Sequence, residues 1–181
     1  MKKLIALSVL GSDRPGIVAA ISKVFYQTGC NIADSSMTQL RGEFAMILMV
    51  ELPAALSIEA LKKAFIPVSK LLELSIAIRV LKSTENVSKK QTGIPYMISL
   101  YGADKPGIVY KVSAFLAKSK INITDVQTNI TQGKKYPVYI MMIEAVAPKN
   151  ISEKGLSRSL SALAKKLSVT LSCRPIEAPE L

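Results

Sequence analysis

The residues of this chain best suited to chemistry lie in one short segment that occurs twice: Gly11-Ser12-Asp13-Arg14-Pro15-Gly16-Ile17-Val18, and again Gly102-Ala103-Asp104-Lys105-Pro106-Gly107-Ile108-Val109. The copies stand 91 positions apart, and the same offset sets Ser8 on Ser99, Ser22 on Ser113, Asn31 on Asn122, Ile32 on Ile123 and Asp34 on Asp125. Each copy follows a short apolar run and precedes a helical pattern, so it marks a strand turning into a helix. Backbone N–H groups of a first helical turn have no intrahelical acceptor and, with the helix dipole, favour an anion. A carboxylate beside them, Asp13 or Asp104, is an acceptor for an ammonium group. The chemistry implied is noncovalent capture of a small anionic or zwitterionic ligand.

Other readings of the segment fit less well. As a phosphate loop it lacks the Lys and Ser/Thr after the second glycine, where Ile17-Val18 stand. As a dinucleotide fingerprint it lacks the third glycine and the parallel strand order. Asp-x-Pro-Gly is also simply a good helix start, with Asp13 as cap, Pro15 in the first turn and Gly16 allowing close approach. Asn31 and Asn122 could equally be turn residues entering a strand.

Composition narrows the function classes. The chain has 181 residues and no histidine, which removes the commonest general base, the commonest transition-metal ligand and the Ser-His and Cys-His pairings. Cys30 and Cys173 fall at non-equivalent places with no metal-ligand spacing around them, so neither a disulfide framework nor a metal site is expected, nor any cofactor or catalytic residue. The net charge of +11 is spread evenly, with twelve Lys/Arg and seven Asp/Glu in residues 1–91 and twelve and six in residues 92–181. A solvated basic surface accounts for it better than a nucleic-acid groove. The first apolar run, Leu4 to Leu10, is too short for a membrane span or signal peptide, and a cytoplasmic location is expected.

The elements that must position the repeated segment follow from the patterns around it. Leu4 to Leu10 reads as a central strand ending at Gly11. A helix follows, with Ile17, Ile21, Val24, Phe25 and Thr28 on its buried face, matched by Ile108, Val112, Phe115, Leu116 and Ser119. Asn31 to Leu40 reads as a polar, half-buried strand joined through the Arg41-Gly42 turn to Glu43–Leu52, and the second copy turns at Gln132-Gly133-Lys134-Lys135 into Val138 to Ala145. Ser57 opens a helix to about Leu72 that Pro67 should kink or shorten. Ser152 to Leu167 is its counterpart, and Leu74–Leu81 and Ser168–Arg174 are the closing strands.

The order strand, helix, strand, strand, helix, strand in each copy predicts an α+β fold. It is two tandem ferredoxin-like βαββαβ units, each an antiparallel four-stranded sheet with both helices on one face. The expected organisation is a first domain at 1–81, a linker at 82–95, a second domain at 96–175 and a tail at 176–181. The stretches Phe44–Val50 and Val138–Ile143 are apolar at consecutive positions, so the face away from the helices, or a sheet edge, is expected to meet another unit or a second chain as a homo-oligomer.

A βαββαβ unit with a Gly-x-Asp-x-Pro-Gly-Ile-Val turn, then Asn-Ile about fifteen residues later, resembles the ACT domain, a regulatory module that typically binds amino acids. The resemblance covers nearly the whole chain, twice. It implies that a small amino acid effector binds where two ACT units meet. The residues carried over are Gly11, Ser12, Asp13, Pro15, Gly16, Ile17, Asn31 and Ile32, and in the second copy Gly102, Ala103, Asp104, Pro106, Gly107, Ile108, Asn122 and Ile123. A stand-alone tandem pair further implies glycine as effector and a transcriptional activator protein of glycine cleavage genes as partner. Repression would then act through protein contact, not by reading DNA. The alternative is a nucleic-acid-binding protein using the basic surface, which needs aromatics on the open sheet face. The third strands offer Phe44 and Tyr139. An enzyme has little support without a nucleophile-base pair.

Overall fold

The computed structural model describes residues 3–81, 92–132 and 136–176. The chain divides into two compact units. The first contains β1 (Lys3–Ser12), α1 (Ile17–Gln27), β2 (Asn31–Leu40), β3 (Glu43–Leu52), α2 (Ile58–Leu71) and β4 (Ser75–Val80). The second repeats the order with β5 (Ile94–Gly102), α3 (Ile108–Lys118), β6 (Asn122–Gln132), β7 (Pro137–Ala147), α4 (Glu153–Leu167) and β8 (Val169–Pro175). Each unit is one antiparallel sheet, in the order β2-β3-β1-β4 and β6-β7-β5-β8. The expected ferredoxin-like fold is present twice.

Strand β1 is central, as its run of apolar residues requires, and its side chains alternate between two environments. Ile5, Leu7 and Val9 are buried beneath the helices with Phe44, Leu48, Val50 and Leu52 of β3. The helices complete this core with Ile17, Ile21, Val24 and Phe25 from α1 and Leu61 and Phe65 from α2. The Phe25 and Phe65 rings meet edge to face, centroids 5.2 Å apart, which draws α2 toward α1. In the second unit Leu116 stands where Phe25 does, and the core is built from β5, β7, α3 and α4 on the same plan. The open faces carry large apolar side chains left exposed, Leu10 and Ile47 in the first unit and Tyr101 and Met142 in the second, with serine among them. Ser8 lies between Ile47 and Ala77, and Ser99 between Met142 and Ser172.

Several local expectations are corrected. Strand β1 does not stop at Gly11 but continues through Ser12, paired with Glu43. Strand β2 is not half-buried: all ten of its residues are exposed, because it is the sheet edge and the helices cover β1 and β3 instead. In β6 only Ile123 is partly buried. Pro67 does not shorten α2, which continues to Leu71. Its ring and Lys63, whose carbonyl loses its partner, both face solvent, where water can serve that carbonyl. Strand β5 starts at Ile94, inside the stretch read as linker, and Ile176 donates its N–H to the Pro95 carbonyl at 2.8 Å. Residues 82–91 of that stretch, the Gly133-Lys134-Lys135 turn and the tail beyond Ile176 lie outside the described residues.

The β2–β3 connection is a two-residue hairpin with φ of 52° at Arg41 and 87° at Gly42, the doubly left-handed turn that matches strand twist. After α1, Gly29 has φ 69°, and Lys120 takes the same role after α3 at φ 57°. A side chain there costs roughly 1–2 kcal/mol, against about 0.5–1 kcal/mol of added freedom for glycine in the unfolded chain. Lys120→Gly is therefore expected to stabilise the second unit by about 0.5–1 kcal/mol, read from denaturant midpoints. Conversely, a Cβ built on Gly102 would lie 2.7 Å from Val169 Cγ1 and 3.1 Å from its Cβ, so Gly102→Ala should cost roughly 1–3 kcal/mol in the same assay.

Candidate functional site

Each repeated segment is a tight turn held between three elements. In the first unit Gly11 pairs with Phe44, Ser12 with Glu43, and the Asp13 N–H donates to the Gly42 carbonyl at 2.7 Å. The space left by the missing side chain of Gly11 is already taken. A Cβ there would meet Leu74 Cδ2 at 2.7 Å and the Glu73 carbonyl at 3.2 Å. Glu73 also pairs with Arg14 across the surface at 3.4 Å. The corresponding room at Gly102 is filled by Val169.

Helices α1 and α3 begin differently from α2 and α4. Ser57 and Ser152 cap α2 and α4, accepting from the N–H groups of Ala60 and Gly155, and Glu59 and Glu153 occupy the first turns. At α1 and α3 the capping position is Gly16 at φ 96° and Gly107 at φ 89°, with no side-chain cap and no acid in the first turn. Asp13 was expected to cap and Pro15 to sit in the first helical turn. Both lie before the cap, since the helix begins only at Ile17. Gly16 is required for its left-handed backbone and not for closeness, because nothing lies within 4 Å of where its Cβ would be. The side chains of Asp13 and Asp104 are exposed and make no hydrogen bond or ion pair among the described residues. An exposed carboxylate and a helix start without a side-chain cap thus share one short turn at the end of each central strand, followed by the buried anchors Ile17 and Ile108.

The structure does not bring Asn31-Ile32 to this turn. Both are exposed and begin β2, where Asn31 pairs with Glu51 and Ile32 with Val50, whereas the turn adjoins the far end of β2 at Gly42. A ten-residue strand separates them, about 30 Å at the usual rise. Asn122 and Ile123 are placed likewise at the start of β6. Both strands carry a bulge at the same point, after Ile32 and after Ile123.

Two residues that the repeat did not reveal distinguish the copies. Phe44 opposes Gly11, and the residue opposing Gly102 is Tyr139. Tyr139 is buried, hydrogen-bonded to Thr128 and close to Asp104. Burial pushes its hydroxyl above the ordinary range, the Thr128 bond pulls it down, and the Asp104 carboxylate raises it, so it stays protonated at neutral pH. The first unit has Met37 where Thr128 would be, so the same place is apolar. The copies are out of step here by four residues, because the second hairpin is longer; matching Phe44 to Tyr139 needed the strand register.

Phe44 and Tyr139 also bear on the nucleic-acid reading. Both point into the cores, 1% and 8% exposed, and so cannot serve as a stacking platform on the open faces. Neither cysteine is poised for chemistry. Cys30 is partly buried beside the first core, and burial, then Glu153, pushes the Cys173 thiol up to about 11. Among the described residues no helix is long and apolar enough to cross a membrane, and no group of His, Cys, Asp and Glu has the makings of a metal site.

Comparison with known proteins agrees with this geometry. The ACT domain family matches residues 3–79 and again residues 96–154. The glycine cleavage system transcriptional repressor of Escherichia coli (strain K12) is 25% identical over 166 residues, which span 91% of this chain and 85% of that protein. Among solved structures, a protein of unknown function from Galdieria sulphuraria superposes with a TM-score of 0.79 at 27% identity, covering 98% of this chain and all of the other. A second, provisionally assigned as a glycine cleavage system transcriptional repressor, superposes at 0.75 with 19% identity over 98% of this chain and 99% of its own, which bears on the fold alone. With both units matched, and with the repeated turn at the same place in each, the chain belongs to the ACT domain family as a tandem pair of ACT units.

Proposed function

We infer that this chain is a non-enzymatic regulatory protein that responds to a small amino acid and acts on transcription of glycine cleavage genes through contact with a protein partner. The observation that carries the reading is the contrast between helix starts. Serine caps close α2 and α4, while α1 and α3 leave their first-turn N–H groups without a side-chain acceptor next to an unpaired aspartate. An α-carboxylate would accept from those N–H groups, and the α-ammonium would donate to Asp13 or Asp104. The likeness to the Escherichia coli repressor over most of both chains supports the regulatory role, and its name, a repressor of the glycine cleavage system, makes glycine the first effector to test.

The two turns would not be equivalent. Tyr139 and Thr128 give the second a polar floor where Phe44 and Met37 give the first an apolar one, so its affinity for a hydroxyl-bearing amino acid should be the greater. Asn31-Ile32 and Asn122-Ile123 lie too far from the turn of their own unit to join its site. They take part only where a different ACT unit supplies them. Regulation then requires that the effector favour one arrangement of the protein over another, since a ligand that binds all arrangements equally shifts none.

Calorimetric titration with glycine, serine and a panel of amino acids tests this. Saturable binding is expected, weakened about tenfold or more in the Asp13→Ala/Asp104→Ala double variant as the ammonium loses its charged acceptor. Absence of heat with every amino acid, in folded protein free of bound ligand, would remove the sensor reading. Serine affinity that is unchanged in Tyr139→Phe would remove the proposed difference between the turns.

A further inference from the structure

The two units differ in how the second helix meets the last strand. In the second, α4 lies closely on β8, with Leu163, Leu167, Leu171 and Cys173 all packed in or against the core. In the first, α2 leans on α1 through the Phe25–Phe65 ring pair and touches β4 only sparsely. The result is a cleft of about 300 Å³ between α2 and β4.

Its walls have a definite chemistry. Strand β4 and the residue before it supply Leu74, Ile76 and Ile78, and α2 supplies Phe65 and Ile66. The polar groups are Lys62 and Ser69. The Ser69 hydroxyl donates to the Ile66 carbonyl at 3.0 Å, which leaves it only lone pairs to offer. Lys62 is exposed and makes no ion pair among the described residues, and α2 carries Lys62, Lys63 and Lys70 against the single acid Glu59. Seven residues separate Lys62 from Ser69, about 10 Å along a helix. The volume equals that of roughly ten waters.

We propose that the α2–β4 cleft is a second ligand site, separate from the repeated turns, that takes a small monocarboxylate with an apolar body. The body lies against Phe65, Ile66, Ile76 and Ile78, and the carboxylate meets Lys62. The apolar walls disfavour a zwitterion, whose ammonium would find no acceptor carboxylate there, so this site and the turns select different ligands. Leu74 is shared between them: it lines the cleft and fills the space beside Gly11.

The test is a titration of the full chain, carrying labelled Ile and Leu methyl groups, with sodium 3-phenylpropionate at low salt. Saturable shifts at roughly millimolar concentration are expected at Ile66, Leu74, Ile76 and Ile78, with 3-phenylpropanol binding more weakly. Lys62→Gln should weaken the acid up to about fivefold and leave the alcohol unchanged. Ile66→Glu, at a position 47% exposed and so harmless to the fold, should abolish binding of the acid by repulsion and by pairing with Lys62. No saturation, shifts scattered outside these methyls, or equal affinity in both variants would overturn the proposal. Because glycine binding at the turns is read by calorimetry on the same samples, failure here is independent of that result.

Discussion

A left-handed residue at Gly16 and at Gly107 turns the chain from a central strand into the helix that covers that strand. No other residue type holds φ near 90° without strain, and the turn is otherwise pinned by strand pairing on one side and by burial of Ile17 or Ile108 on the other. With glycine at the capping position, no side chain caps the first turn of α1 or α3. An uncapped helix start is thus built into the fold at each repeated turn.

Around this fixed turn the two units have diverged where the backbone does not constrain them. Near the turn, buried Phe44 and exposed Met37 of the first unit are exchanged for buried Tyr139 and exposed Thr128 in the second, which replaces an apolar pair by a polar one at matching positions of the sheet. An aromatic pair in the first core tilts the helix packing toward α1, and its replacement by leucine in the second accompanies packing onto the last strand. The repeated frame is the same in both units, while side chains beside the turn or filling a core layer differ.

What was legible in the sequence depended on local patterns with a short period. The repeat, the apolar period of three and four in α1 and α3, the Arg41-Gly42 hairpin and the serine starts of α2 and α4 all express constraints within one element, and all are present in the structure. The misreadings concern relations between elements. Whether Asn31 to Leu40 is half-buried depends on how far the helices reach across the sheet. Whether Pro67 shortens a helix depends on which face it occupies.

The residues of the candidate site show the same division. The sequence by itself determined the two ACT units, the type and place of the repeated turn and the absence of histidine chemistry, because each follows from residue identity and spacing along the chain. Only the tertiary structure decided that Asp13 does not cap its helix and that the room beside Gly11 belongs to Leu74. It also put Asn31 at the opposite end of the sheet from the turn it follows, and Tyr139 opposite Gly102, within electrostatic reach of Asp104. Those facts are set by strand register and packing between residues distant in the chain, and no local pattern encodes them.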